Sequence, residues 1–417
     1  MSTLLKTQKN QTIFLLSVFA ILFCLRRPDI WIGGRFWAEE GTYFYHNALI
    51  QPPYEALTYV FGGYLNLAAN FFTLLSTWIV PIDYAPYVTI FAGLLFALLP
   101  LFLLFTAQDA WLQNFRTKLI ITFLFLLVPA SSEISLQSLH IQFYLALSCA
   151  IIAALETQNN YQRWFRLAVL FFAPLCGLMV IPLIAVFGLR FIVERKWLRF
   201  EQTLSLAIGS AIQIFFFYQH ISGSTRHYGF SVVDFLSVCF ARDLLIPFLG
   251  MNRLSIHFIH GLHQALQNHH IPLRTCLIAL IAMIPILFWL LRYPKTRPAV
   301  WFLLSALFLR AISIYGGIGG ALDMIDPYSS ERYIFCSQAL FCLALVYFAV
   351  SLTGLNKKIV DFLILWLIFV GMFNYLFPFP ATAHGPSWHK EISIWKNDHN
   401  YKPKCWPDSW VVEIPNK

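Results

Sequence analysis

The chain has 417 residues, of which 59% are hydrophobic and 12% charged, and its mean hydropathy is +0.65. That composition leaves too little polar surface to cover a soluble globule of this size, so it assigns a polytopic membrane protein. The formal net charge of +9 does not point to nucleic acid, because Lys and Arg gather in short breaks between apolar runs and so encode orientation.

Lys6 and Lys9 put the N-terminus on the cytoplasmic side, and the first apolar run covers roughly 11–25. Arg26-Arg27-Pro28 follows it without a small-x-small cleavage pattern, so it reads as a retained first helix and not a removed signal peptide. Further spans are expected at roughly 84–107, 118–130, 139–156, 166–178, 180–193, 203–219, 272–291, 299–315, 334–352 and 359–377. Runs of this length specify helices, since a barrel shows short alternating strands. The basic breaks at Arg116 and Lys118, Arg163 and Arg166, Arg190 to Arg199, Arg292 to Arg297, and Lys357 and Lys358 become cytoplasmic loops. About eleven crossings then leave the C-terminus outside. The segment 64–80 is apolar enough to insert, but a crossing there breaks the parity, so it reads as a helix lying on or dipping into the outer face.

The expected organisation is an all-α transmembrane bundle over 1–377, with a first outer loop at 26–83, a second at 220–271, a shorter one at 316–332 and a Trp-rich outer tail at 378–417. All 12 His then lie on the outer side or its edge, as do all Asp and Glu except Asp109, Glu156, Glu194, Glu201 and Asp361. Ionisable chemistry is thus concentrated on one face. The eight Cys form neither a disulfide framework nor a Cys-x-x-Cys zinc pattern.

Candidate site residues follow in chain order. Glu39 and Glu40 stand in RFWAEEGTYFYHNA just after the first span, with Tyr43 beside them; acids next to a bilayer are costly enough to suggest a proton acceptor or a polar-ligand contact. The alternative for the pair is a solvated loop or ion pairing with Arg26, Arg27 and Arg35. In PASSEISLQSLHIQFY, Glu133, Gln137, His140 and Gln142 provide a polar turn suited to a sugar ring. Arg226 and His227 lie in SGSTRHYG of the second loop. His257, His260 and His263 recur every third residue; neighbours can share an ion, but all three fan across a broad helix face. Arg310 lies near the outer end of a span, where a buried cation faces the bundle or a wet cavity. Asp323 and Asp326 form a second acidic pair able to hold a divalent ion or sugar hydroxyls. Arg332 and Tyr333, in DPYSSERYIF, stand where a helix re-enters the membrane, at the depth of a lipid phosphate. Trp388, Trp395, Trp406 and Trp410 in the tail are expected to fold back over the first loop.

Glu39-Glu40-Gly41-Thr42-Tyr43 resembles the Asp-Glu-x-x-Tyr type of sequence that follows the first helix in GT-C glycosyltransferases, membrane enzymes that use polyprenyl-phosphate sugars. This chain has Glu at the first position, where Asp is usual. The resemblance implies a hexosyl- or pentosyltransferase of the GT-C type, inverting, whose site faces the periplasm from a bacterial inner membrane. It implies Glu39 as general base with Glu40 its neighbour, and Arg332, with Arg310, on the donor phosphate; Tyr43, His140, Arg226, Asp323, Asp326 and Tyr333 are the further substrate contacts that the residues themselves suggest. The partners implied are a polyprenyl-phosphate-linked sugar, membrane lipids and an envelope lipid, glycan or protein acceptor, with no nucleic acid. Metal use differs within that superfamily, so a divalent metal ion stays open as a cofactor without assigned ligands. Two other readings compete: a flippase or transporter of lipid-linked sugars, which calls for broken helices and charges at the midplane, and an envelope polysaccharide polymerase or ligase centred on the second loop.

Overall fold

Long apolar runs supply the frame. A computed structural model describes residues 7–157, 159–221, 228–292, 297–326, 329–376 and 385–415. Among them six helices are long and apolar enough to cross a membrane: Gln8–Leu25, Ile82–Thr106, Trp197–Gln219, Pro298–Gly316, Glu331–Ser351 and Gly354–Leu376. The sheet content of the described residues is one two-stranded hairpin, so the chain is an all-α membrane protein.

Other apolar runs expected to span form shorter helices. Phe115–Leu127, Ile141–Ala154, Asn160–Leu175 and Leu183–Glu194 have 13, 14, 16 and 12 residues. At 1.5 Å per residue a 14-residue helix extends ~21 Å, short of the ~30 Å hydrocarbon core. Ile141–Ala154 is buried at every position, so its apolarity serves packing against protein. Hydropathy does not separate that case from lipid contact, because both make a helix apolar all round. Leu67–Ile79, within the run read as lying on the outer face, is a 13-residue helix with Phe71, Trp78 and Ile79 exposed.

Helices approach closely where side chains vanish. A Cβ at Gly209 would collide with the carbonyl oxygen of Phe171, so this glycine lets Trp197–Gln219 lie against Asn160–Leu175.

The two ends of the bundle differ in chemistry. At one end Gln8 and Lys118 both donate to the carbonyl of Phe105, at 3.3 and 3.1 Å, while Arg190 and Arg199 share Glu156 and Glu194. The basic residues used to read orientation are therefore partly buried in a paired network, with Arg166 donating to the Glu156 carbonyl at 2.7 Å. The other end carries the first loop, the polar turn after Leu127 and the tail. Arg26 reaches Ser131 and Ser132 there, at 2.6 and 2.8 Å, and Gln213 donates to the Leu65 carbonyl at 2.8 Å. The tail packs on the first loop, with Ala38 N–H donating to the Trp406 carbonyl at 2.5 Å and Trp406 N–H to the Phe36 carbonyl at 3.0 Å.

Candidate functional site

Three chain segments meet at the loop-bearing end, and the turn between Leu127 and Ile141 ties them together. Its Ser131, Ser132, Glu133, Ser135, Gln137, Ser138 and His140 are all buried. Buried polar groups require partners, and each neighbour supplies some. From the first loop, Glu40 accepts the Ser138 N–H and Oγ–H on one carboxylate oxygen, both at 2.6 Å, and the Trp37 N–H on the other at 3.1 Å. Arg35 donates to the Ser135 carbonyl at 2.6 Å, and Asn66 to the Leu139 carbonyl at 2.9 Å. From the far side, Glu331 accepts the Glu133 N–H at 3.0 Å, and Arg332 binds Glu133 through both its backbone N–H (3.0 Å) and its guanidinium.

These ties frame a cavity of about 580 Å3 lined by Glu39, Tyr43, His140, Gln142, Arg332 and Tyr333, among others. Its size is that of a small-molecule site. Six of the residues singled out from the sequence (Glu39, Tyr43, His140, Gln142, Arg332 and Tyr333) therefore share one wall system. The adjacent acids part company. Glu39 lines the cavity, whereas Glu40 is wholly buried outside its lining and clamps the loop to the turn. Of the expected pair, one acid thus lines the cavity and the other is tied to the turn. The cause is local: Ala38 at φ +32° and a π-helix over Glu40–Tyr45 turn consecutive side chains in different directions.

Backbone strain marks the same place. Five non-glycine described residues have positive φ, and Ala38, Leu136 and Ser330 are three of them. Each lies within four residues of a cavity residue: Glu39, His140 and Arg332 respectively. Such conformations cost about 1–3 kcal/mol and persist where placement of a neighbour matters.

Electrostatics follow from burial and pairing. Burial tends to raise the Glu133 carboxyl, but Arg332, His140 and the Arg332 N–H outweigh it and hold it below the usual range. Burial lowers His140 to about 4, against the attraction of Glu133, so the ring stands neutral beside the ion pair. Burial also pushes Glu40 up, against the donors from Ser138 and Trp37 and the charge of Arg35. The wall thus offers a carboxylate, a neutral imidazole and a guanidinium oriented by Glu133 and held over the Tyr333 ring at 4.9 Å.

Aromatic and apolar groups complete the lining. Val60–Phe61 and Tyr64–Leu65 form a hairpin whose turn, Gly62-Gly63, has φ of +62° and +85°, as a two-residue primed turn requires. It brings Phe61 and Tyr64 to the cavity; Tyr43 stacks on Phe61 at 4.5 Å and Gln142 donates to the Tyr64 hydroxyl at 3.4 Å. The Gly-Gly pair is the signal that would have found them. Tyr228, Tyr315 and Ser313 also line the site, and no motif in the sequence marks them.

Other candidates lie elsewhere. Arg310 is paired with Asp243 and does not line this cavity. Asp323 is exposed and Asp326 half-buried, and neither belongs to the lining. Arg226 and His227 fall outside the described residues. His257 and His260 are exposed on Arg253–Gln267, and no group of three His, Cys, Asp or Glu among the described residues is placed to hold a metal ion. Of the tail tryptophans, Trp406 lies within 5.2 Å of both Arg27 and Arg35, and Trp388 packs on Phe36 and Tyr45. Their role is to fix the first loop. No protein-family model, curated protein or solved structure matches the chain.

Proposed function

We propose that the chain is a membrane glycosyltransferase that moves a sugar from a polyprenyl-phosphate donor to an envelope lipid, glycan or protein, on the periplasmic side of a bacterial inner membrane. The observation that carries the reading is the convergence of Glu39, His140 and Arg332, from segments far apart in sequence, on one aromatic-lined cavity. Sugar transfer needs a base at the incoming hydroxyl and a cation at the departing phosphate. Glu39 takes the acceptor proton as the acceptor oxygen bonds to the anomeric carbon from the face opposite the phosphate. The carbon–oxygen bond to the phosphate breaks, its electron pair stays on the phosphate, and Arg332 meets the growing charge. Tyr43, Tyr64 and Gln142 offer faces and hydrogen bonds to the sugar. Ile181, Pro182, Ile214 and Ile312 form an apolar side to the cavity, suited to a prenyl chain, and Ile214 is 45% exposed on its helix.

The test is transfer of labelled sugar from polyprenyl phosphate in vesicles holding the full chain. Glu39→Gln is expected to lower the rate by about a hundredfold or more, the usual contribution of a general base. Arg332→Ala should fall similarly and Arg332→Lys less. Undiminished transfer by Glu39→Gln refutes the assignment. The transport reading separates in the same vesicles, since it requires translocation of the lipid-linked sugar without a new glycosidic bond.

A further inference from the structure

Arg253–Gln267, in the second loop, is a helix of 15 residues, too short at ~1.5 Å per residue to cross a bilayer. Both ends are fixed locally. Asn252 accepts the Ser255 N–H at 3.0 Å at the start, and at the finish His269 turns to φ +58° while the His270 N–H donates to the Ala265 carbonyl at 2.8 Å. Five residues on, the chain enters Leu273–Arg292, whose Leu277, Ile281, Ile284 and Phe288 are exposed. The helix also packs on Gly320–Ile325, which begins three residues after Gly317 of the candidate cavity. It thus sits at the cavity end of the bundle, joined to an apolar helix.

Residues three and four apart share a face, which sorts this helix into three stripes roughly a third of a turn apart. Ser255, Ile259 and Leu262 are buried against protein. Leu254 and Phe258 are 55% and 51% exposed, and a Cβ built at Gly261, on the same stripe, would touch nothing. The third stripe, Arg253, His257, His260 and Gln264, is exposed throughout. An apolar face and a basic face therefore lie bare side by side. No Asp or Glu occurs in the sequence between Asp243 and Asp323, so neither this helix nor the chain flanking it carries an acid to neutralise the basic stripe. A bilayer surface offers both complements at once, acyl chains beside phosphates. A second copy related by a twofold axis would instead bring like charges together.

We propose that Arg253–Gln267 is an interfacial helix that seats Leu254 and Phe258 among acyl chains and holds anionic phospholipid headgroups on Arg253, His257 and His260. The guanidinium and imidazole N–H groups donate to phosphate oxygens, and the charge of Arg253 favours a lipid with net negative charge over a zwitterionic one. The seat does not rest on the sugar-transfer reading. The experiment uses the full chain with Gly261→Cys carrying an environment-sensitive dye, in vesicles of phosphatidylcholine and phosphatidylglycerol; the parent chain, whose native thiols are buried or half-buried, sets the background. A spin label near the top of the acyl chain is placed on one lipid or the other at equal mole fraction. The dye is expected to emit as in an apolar medium and to be quenched about fivefold more by labelled phosphatidylglycerol, the worth of one cation near an anionic surface. Salt at ~1 M should remove the preference by screening. Arg253→Gln/His257→Gln/His260→Gln should equalise the two lipids while quenching by labelled phosphatidylcholine stays unchanged, which reports an intact seat, and Arg253→Lys should keep the preference. Equal quenching in the parent helix, a preference that survives the triple substitution, or dye emission as in water with neither lipid quenching overturns the proposal. So does self-quenching between labelled chains that dilution with unlabelled chain relieves, since a second copy then covers the face.

Discussion

Replacing Glu40 by Gln tests how differently two adjacent carboxylates are used. Both Glu40 oxygens accept from buried donors, so an amide nitrogen at either position leaves a donor without a partner. The expected cost is about 1–3 kcal/mol, read as a lower thermal midpoint in detergent, with transfer lost only as the fold is lost. Glu39→Gln should show the reverse: an unchanged midpoint and transfer lowered by about a hundredfold or more. His140 adds a pH dependence whose sign is fixed by its lowered folded value. The unfolded imidazole takes a proton near its ordinary 6.5, the folded ring only near 4. Stability is therefore fully present above 6.5 and is lost as pH falls toward 4, by at most ~3 kcal/mol. Thermal midpoints between pH 7 and 4 should fall in the parent chain and flatten in His140→Asn; equal slopes would remove His140 from the explanation. Glu39, His140 and Arg332 were legible in the sequence because ionisable groups stand out against an apolar background. The Glu133–Arg332 pair was not, because its members are 199 positions apart and only the fold brings them together. Nor was the split between Glu39 and Glu40, which depends on a π turn that leaves no residue signature.

At the scale of elements, the tail acts on the site through the first loop. Trp406 lies beside Arg27 and Arg35, bridges to Trp37 and exchanges backbone hydrogen bonds with Phe36 and Ala38, the residue whose strained φ aims Glu39. Trp406→Ala is expected to cost about 3–5 kcal/mol, as for other buried tryptophans, and to free the loop. Limited proteolysis should then cut near 36–41 while the spans stay protected. Transfer should fall further than the unfolded fraction accounts for; a fall that merely tracks unfolding would leave the tail a passive cover. The long helices were legible because an apolar run of span length has few other outcomes. The short ones were less so, because Ile141–Ala154 is as apolar as a span while surrounded by protein. The Gly62-Gly63 hairpin shows the opposite case, a signal of two residues hidden inside a loop that reads as featureless.

At the scale of the molecule, the proposed function depends on orientation, because a lipid-linked sugar donor has to reach the cavity from the membrane face on which it is presented. The end that holds Arg163, Arg190, Lys196 and Arg199 is opposite the end that holds the first loop and the tail, since Gln8 and Phe105 meet at one and Arg26 and Ser131 at the other. Positive loops stay in the cytoplasm because translocating them opposes the membrane potential and the insertion bias, so the cavity end should face the periplasm. Single cysteines at exposed Ser393 and Lys196 measure this directly. In right-side-out vesicles an impermeant maleimide is expected to label Ser393→Cys and spare Lys196→Cys, and inverted vesicles should exchange the two results. The parent chain, whose eight native thiols are buried or half-buried, sets the background. Labelling of Lys196→Cys from the outside would turn Glu39 toward the cytoplasm, where soluble nucleotide sugars compete as donors and the case for a lipid-phosphate donor fails.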